Sequence, residues 1–253
     1  MDPTSNERAR VRPQCVLPWG FDSDAPGSDA GPMTAAASTA LARTRESWHR
    51  LAEHVLGAGQ FAAAGTIRLR PVPEGFQTVV GIDGRHVAVA GDRLVVLDAD
   101  QRRSTPLTTV GAAAAFAGVI PGLTGSYPPV TSSDPDAPLT VDPEAARLLA
   151  AWYALGDLAL RRFTADLGAP QEPVLWPEHL DVAVTVDAVN YGCSPGDAAI
   201  PGPYAYVEPH QPPTPDPFWN APFGAAVTAD RIGSPDDAVA FFARGRALTA
   251  TAG

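Results

Sequence analysis

The chain contains no lysine: all 18 of its basic residues are arginine. That absence excludes Schiff-base catalysis, which needs a lysine amine, and the phosphate-binding loop whose motif closes on lysine. Cysteine is almost missing too. Cys15 and Cys193 are the only two; they lie far apart in unlike contexts, so no disulfide framework is expected. No stretch approaches 18 consecutive apolar residues, and the opening MDPTSNERARVRPQ lacks the apolar core of a secretory signal. The expectation is a soluble, cytoplasmic protein with no membrane partner. Clustered cations are also scarce. The net charge is −10, and Arg102 with Arg103 and Arg161 with Arg162 are the only adjacent basic pairs. Backbone binding to nucleic acid relies on such clusters releasing counterions, so no nucleic-acid partner is expected.

What is present describes an ordinary globular protein. Of the 253 residues, 45% are hydrophobic and 18% charged, enough apolar content for a sizeable core. Residues 1–33 are rich in Asp, Pro, Gly and Ser without periodicity and read as a mobile tail, in which CVLPWGF is apolar enough to dock. A helix is expected over 34–56, with Leu41, Trp48, Leu51, Val55 and Leu56 as its apolar stripe and Gly57 or Gly59 as its stop. Four short alternating runs follow, TIRLR, FQTVVGI, HVAVA and RLVVLDA, separated by turn formers. A small helix over 109–119 completes an N-terminal lobe, 34–120. Residues 121–141 read as a linker because they are rich in Pro, Gly, Ser and Asp. The C-terminal lobe, 142–253, opens with a strong helix signal: Asp142 as N-cap, Pro143 in the first turn and Glu144 behind it, with Gly168 as the stop. A last helix opens at Ser234. Helix, antiparallel strands, helix therefore occurs twice, and the expected class is α+β with two lobes, each a sheet or meander packed on helices.

The segment 176–224 is composed unlike its surroundings. It holds two of five histidines, three of five tyrosines and two of five tryptophans. Strand alternation places Val182, Val184 and Val186 on one face, with His179, Asp181, Thr185 and Asp187 on the other. A second run puts Tyr204, Tyr206, Glu208 and His210 on one face. If these two runs pair as a hairpin, His179, Asp181, Glu208 and His210 converge as two imidazoles and two carboxylates. Such a set suits one divalent metal ion, zinc, manganese or iron, with an open position for water or substrate. A two-histidine, one-carboxylate site of this kind resembles those of cupin-type barrels, although the His-x-His of that family is absent. Trp176, Tyr204, Tyr206 and Trp219 would line an apolar pocket, with Asn220 orienting a ligand carbonyl; alternatively the aromatics simply pack a core.

One further motif fails on its chemistry. Gly192-Cys193-Ser194-Pro195-Gly196 matches the G-x-S-x-G nucleophile elbow. In that elbow the residue after serine donates its N–H to the oxyanion, and Pro195 has none. The run reads as a tight turn between strands, with Cys193 a small turn residue rather than a thiol nucleophile. His49 and His54, five residues apart on the first helix, do not share a face and are given no role.

The runs WPEHLDVAV (176–184), YGCSPGD (191–197), PYAYVEP (203–209) and FWNAPFGA (218–225) together resemble an uncharacterised protein family, a domain of unknown function, from GC-rich bacteria, over about 45–247. A larger uncharacterised family is similar in its Phe-Asp-Leu-Ala-Val and Tyr-x-Tyr-x-x-Pro pattern, with Leu180 here in place of the phenylalanine. The resemblance implies no named activity. The meander between helices is similar in topology to sterol-carrier-type domains, which would imply apolar ligand binding. Three readings stand: a small-molecule-binding protein with its pocket in the C-terminal lobe, a metal-dependent enzyme using the histidine and carboxylate set, and a module docking its Pro-rich aromatic segment on a partner protein.

Overall fold

A computed structural model describes residues 35–99, 101–211 and 213–250; the N-terminal tail, with CVLPWGF and Cys15, lies outside them. Helix α1 (Ala35–Leu51) buries Leu41, Trp48 and Leu51, as their spacing requires. The expected stop at Gly57 or Gly59 does not occur. The helix passes through a π-helical turn, Ala52–Gly57, into α2 (Ala58–Ala64) and ends at Gly65, whose φ of +67° glycine adopts without steric cost. Gly59 serves close packing instead: a Cβ there would stand 2.6 Å from Ile82 Cδ1 and from Val119 Cγ1.

The meander has five strands rather than four: β1 (Leu69–Val72), β2 (Gly75–Thr78), β3 (His86–Ala90), β4 (Arg93–Asp98) and β5 (Gln101–Pro106). The fifth, QRRSTP, is the sheet's outer edge and largely exposed, so it carries no apolar alternation to betray it. Helix α3 (Val110–Ala117) follows, its first turn capped by Thr109 Oγ1, which accepts from the Ala112 amide at 3.1 Å.

Residues 121–141 contain no helix or named strand, and they are pinned to the first helix. Glu53 on the π-helical turn accepts from the amides of Val130 (3.0 Å) and Thr131 (2.9 Å) and from the Thr131 hydroxyl (2.5 Å). His54 Nε2 lies 3.0 Å from the Thr131 carbonyl. Both side chains are buried. Ser47 and Thr140 bond reciprocally at 3.0 and 2.8 Å. Asp142 then caps α4 (Pro143–Asp166), its Oδ1 accepting from the amides of Glu144 and Ala145.

The second half supplies β6 (Val174–Trp176), β7 (Asp181–Val186), β8 (Val189–Ser194), β9 (Tyr204–Pro209), β10 (Ala225–Thr228) and helix α5 (Pro235–Ala250). The α+β class holds. The two halves share a single antiparallel sheet of ten strands in the order β10-β9-β8-β7-β6-β1-β2-β3-β4-β5, joined where Leu69 pairs with Leu175. Helix, five-strand meander, helix is repeated, and antiparallel pairing of β1 with β6 relates the halves by an approximate two-fold. The repeat extends to anchoring bonds: Trp48 Nε1 donates to the Gly91 carbonyl (3.1 Å) and Trp152 Nε1 to the Ser194 carbonyl (2.8 Å), each at the end of the third strand of its own half.

The expected hairpin is corrected. β7 pairs with β8 through a two-residue turn, Asp187 and Ala188, with φ of +50° and +60°, the left-handed pair that suits a tight hairpin. YGCSPGD therefore begins as strand β8, not as a turn, and β8 separates β7 from β9. Val182, Val184, Tyr191, Cys193, Ala205 and Val207 face the helices and join the main core, where Trp48, Trp152, Tyr153, Phe163 and Phe242 are also buried. The opposite face carries Asp181, Gly192, Tyr204 and Tyr206. Among the described residues no helix is long and apolar enough to cross a membrane.

Candidate functional site

Asp181, the first residue of β7, is only 4% exposed. The residue before it, Leu180, holds a left-handed φ of +53° and is itself fully buried, a conformation a branched side chain adopts only when its surroundings enforce it. Helix α4 does the enforcing. The Tyr153 hydroxyl donates to the Leu180 carbonyl at 2.7 Å, and Trp152 holds the carbonyl of Ser194 on the neighbouring strand.

Across the sheet, Tyr206 pairs with Gly192 and lays its ring over it; a Cβ on Gly192 would come within 2.5 Å of the phenol oxygen. The missing side chain is what lets the phenol reach past β8 and donate to Asp181 Oδ2. Asp181 Oδ1 is buried without a partner in another described residue. Burial pushes the Asp181 carboxyl up to about 6, against the opposing pull of the Tyr206 phenol, His179 and its own amide. Burial and the neighbouring Asp181 likewise raise Tyr206 well above the ordinary phenol range.

This carboxyl borders a cleft of about 530 Å³ at the end of the sheet where β7 begins and β8 ends. One wall is aromatic: Phe223 stacks on Tyr204 (centroids 6.2 Å apart, 26° between planes) and meets Tyr206 edge-on (6.3 Å, 82°). Tyr204 is fixed by donating to Asp197 Oδ2 at 2.6 Å, while Asp197 Oδ1 accepts from the amides of Ala199 (2.7 Å) and Ile200 (2.8 Å). Burial raises the Asp197 carboxyl, but those three donors and Arg45 more than offset it, leaving it below its ordinary value. The facing wall comes from α1. Arg45 donates to the Pro201 carbonyl at 2.9 Å, and His49, one turn on, has a buried Nε2 with no partner among the described residues. Burial lowers the His49 pKa, so it is neutral at pH 7. Val130, held by Glu53, completes the rim.

The sequence-based site is partly assembled. Tyr204, Tyr206, His179, Asp181 and Glu208 all border the cleft. His210 does not: it follows β9, with its Nε2 3.1 Å from Asn190 Oδ1, and Asn190 Nδ2 in turn donates to Glu208 at 3.0 Å. His179 sits in the turn before β7, its side chain 71% exposed and 3.6 Å from Glu178. Because β8 intervenes, the four expected ligands do not converge. No group of three or more His, Cys, Asp or Glu side chains among the described residues is arranged to hold a metal ion.

Trp176 pairs with Asp181 along the strand register and packs beside the tyrosine cluster, with the Arg68 guanidinium 5.8 Å from its ring centre, outside the cleft lining. Asn220 is structural: its amide bonds both the N–H (2.9 Å) and the carbonyl (3.1 Å) of Ala226, tying its loop to β10. Trp219 packs edge-on against Phe218 and lines a shallow depression with Pro213, Pro215 and Pro217 that shares no residue with the cleft. Cys193 is fully buried against Gly156, where a Cβ would stand 2.9 Å from the sulfur. Burial, with Asp181 nearby, drives its thiol pKa up, the reverse of what a nucleophile needs.

Arg45, His49, Asp197 and Phe223 were not singled out in the sequence as cleft residues. The i, i+4 spacing of Arg45 and His49 put them on one helix face, but nothing local said that this face meets the end of β8. Compared with protein-family models, curated proteins and solved structures, the chain matches none.

Proposed function

We propose that this chain binds a small organic molecule in the cleft between α1 and the β7–β9 end of the sheet. The observation that carries this is the buried, half-satisfied Asp181 carboxyl bordering a cleft of ligand size. Burying such a group without full pairing costs stability, and a structural role alone would be served as well by an apolar residue. Perturbed titratable groups in a concave, partly aromatic cleft are the usual makeup of a binding site. The strained Leu180 and the two α4 anchors agree with a site held in place at some cost. Five carboxylates and one arginine border the cleft, so phosphate-bearing ligands are disfavoured, in keeping with the scarcity of clustered cations.

The test is a ligand-observed NMR screen with fragments of all charge types. Cleft binders should lose their signal with Phe223→Ala and Tyr204→Ala and keep it with Trp219→Ala, whose depression lies elsewhere. A screen giving no fragment sensitive to the cleft variants would reject the reading.

A further inference from the structure

We infer that the ligand of this cleft is an organic cation, a protonated alkylamine whose ammonium group bonds Asp181 and whose carbon chain lies along the Tyr204–Phe223 wall. This rests on the cleft being a ligand site and goes beyond it by assigning the ligand's charge and shape.

Three independent features converge. The first is the acceptor left over at Asp181. Oδ2 is taken by the Tyr206 phenol, while Oδ1 is buried with no partner in another described residue. A carboxylate oxygen accepts only, so whatever completes it must be a donor. The second is the charge around it. Of the basic residues bordering the cleft, Arg45 is committed to the Pro201 carbonyl and lies beside Asp197, His49 is neutral at pH 7, and the largely exposed His179 stands 3.6 Å from Glu178. Glu178 and Glu208 stand nearer the rim. Five carboxylates against one arginine give the described cleft lining an excess of negative charge, and a cation entering it is drawn by the summed field. The third is the aromatic wall. Tyr204, Tyr206 and Phe223 stand with centroids 6.2–6.3 Å apart, and ring faces attract an adjacent ammonium through their quadrupoles while covering its alkyl chain. An anionic ligand would meet repulsion from all three features, and a neutral one would leave the charge uncompensated.

The experiment titrates the full chain with four probes of matched length, n-butylammonium, 1,4-diaminobutane, 1-butanol and butyrate, by calorimetry and by protein NMR. The two amines should bind, the diamine more tightly, and the alcohol and the carboxylate should bind at least about tenfold more weakly, the scale of one charge-assisted hydrogen bond. Asp181→Asn retains an acceptor for Tyr206 but removes the charge, and should weaken the amines by about tenfold or more. Glu178→Gln, at a partly exposed position, should weaken them less without touching the core; it keeps the test decisive if Asp181→Asn is poorly folded. Equal or tighter binding of butanol or butyrate in the cleft would overturn the charge assignment and leave the ligand-site reading standing. Amines whose binding is indifferent to both variants would overturn it as well. If none of the probes, and no fragment of the wider screen, perturbs the cleft, the ligand-site reading falls with it.

Discussion

At the scale of single residues, Asp181 sets the pH behaviour. Its carboxyl titrates near 6 in the folded chain against an ordinary 3.8. An acid whose pKa is raised by folding favours the native state in its protonated form. Its contribution is therefore full below about pH 4 and is lost as pH rises through about 6. Asp181→Asn should remove that loss. Measured by thermal melts from pH 4 to 7.5, the variant should gain on the wild type as pH rises, by on the order of 1–3 kcal/mol at neutral pH. A difference that does not change with pH would contradict the burial-driven shift. Tyr206→Phe should do the opposite, leaving the carboxylate without its donor and costing about 1–3 kcal/mol at pH 7, less at pH 4. Gly192→Ala is the steric counterpart. The added methyl occupies the space of the Tyr206 ring tip, so it should abolish ligand binding and shift the Tyr206 ring resonances while the helix-facing core keeps its native near-ultraviolet signal.

At the scale of elements, the π-helical turn matters most. Its wider coil brings the consecutive residues Glu53 and His54 both inward, and both close on Thr131, so that a segment with no helix of its own becomes one rim of the cleft. π-Helical turns within α-helices occur often beside functional sites. Glu53→Ala leaves the amides of Val130 and Thr131 unpaired. It should speed amide exchange across 121–141 and make that segment the first site of limited proteolysis, with α4 still protected. Proteolysis unchanged from wild type would show that the segment is held by other contacts. The metal reading belongs to this scale too, because it depended on which strands pair. With β8 between β7 and β9, elemental analysis of purified protein should give a transition-metal content well below one per chain, unchanged in the His179→Ala/His210→Ala double variant. A near-stoichiometric metal lost in that variant would reverse this conclusion.

At the scale of the whole molecule, the two halves are topological repeats that share one sheet and one core. Helix α4, which begins the second half, packs on β1 and β2 of the first as well as on β7 and β8 of its own. Arg45 and His49 of the first half form a wall of the site in the second. Separating the chain between 121 and 141 would expose the β1 and β6 edges and strip α4 from half its partners, and an open apolar edge invites aggregation. Neither half expressed alone should show a cooperative melt, whereas co-expressed halves should recover one. A half that melts cooperatively by itself would show that the shared sheet is not required for folding.

What the sequence determined by itself is what local physical chemistry encodes. Helix α4 could be placed to its first residue because Asp142 caps the amides of Glu144 and Ala145 and Pro143 fixes its own φ at a helical value, and Gly168 ended it because its conformation is a local matter. The alternation of Val182, Val184 and Val186 named the core-facing side of β7, and the same alternation put Tyr204 and Tyr206 on the other. The concentration of aromatic and titratable residues over 176–224 set that segment apart from its surroundings. Tertiary structure alone decided the rest. Gly57 and Gly59 look like helix stops, yet they are kept helical by packing on Pro177, Ile82 and Val119, neighbours that spacing along the chain does not reveal. YGCSPGD looks like a turn because Gly, Cys and Ser have little strand preference, but β8 is stabilised by pairing on both sides, with Gly192 small so that Tyr206 can cross it. The bond of Tyr206 to Asp181, and the placing of Arg45 and His49 in the same cleft, draw on residues from 45 to 206. That arrangement exists because a ten-stranded sheet folds one end against a helix from its other half, and no local signal carries that information.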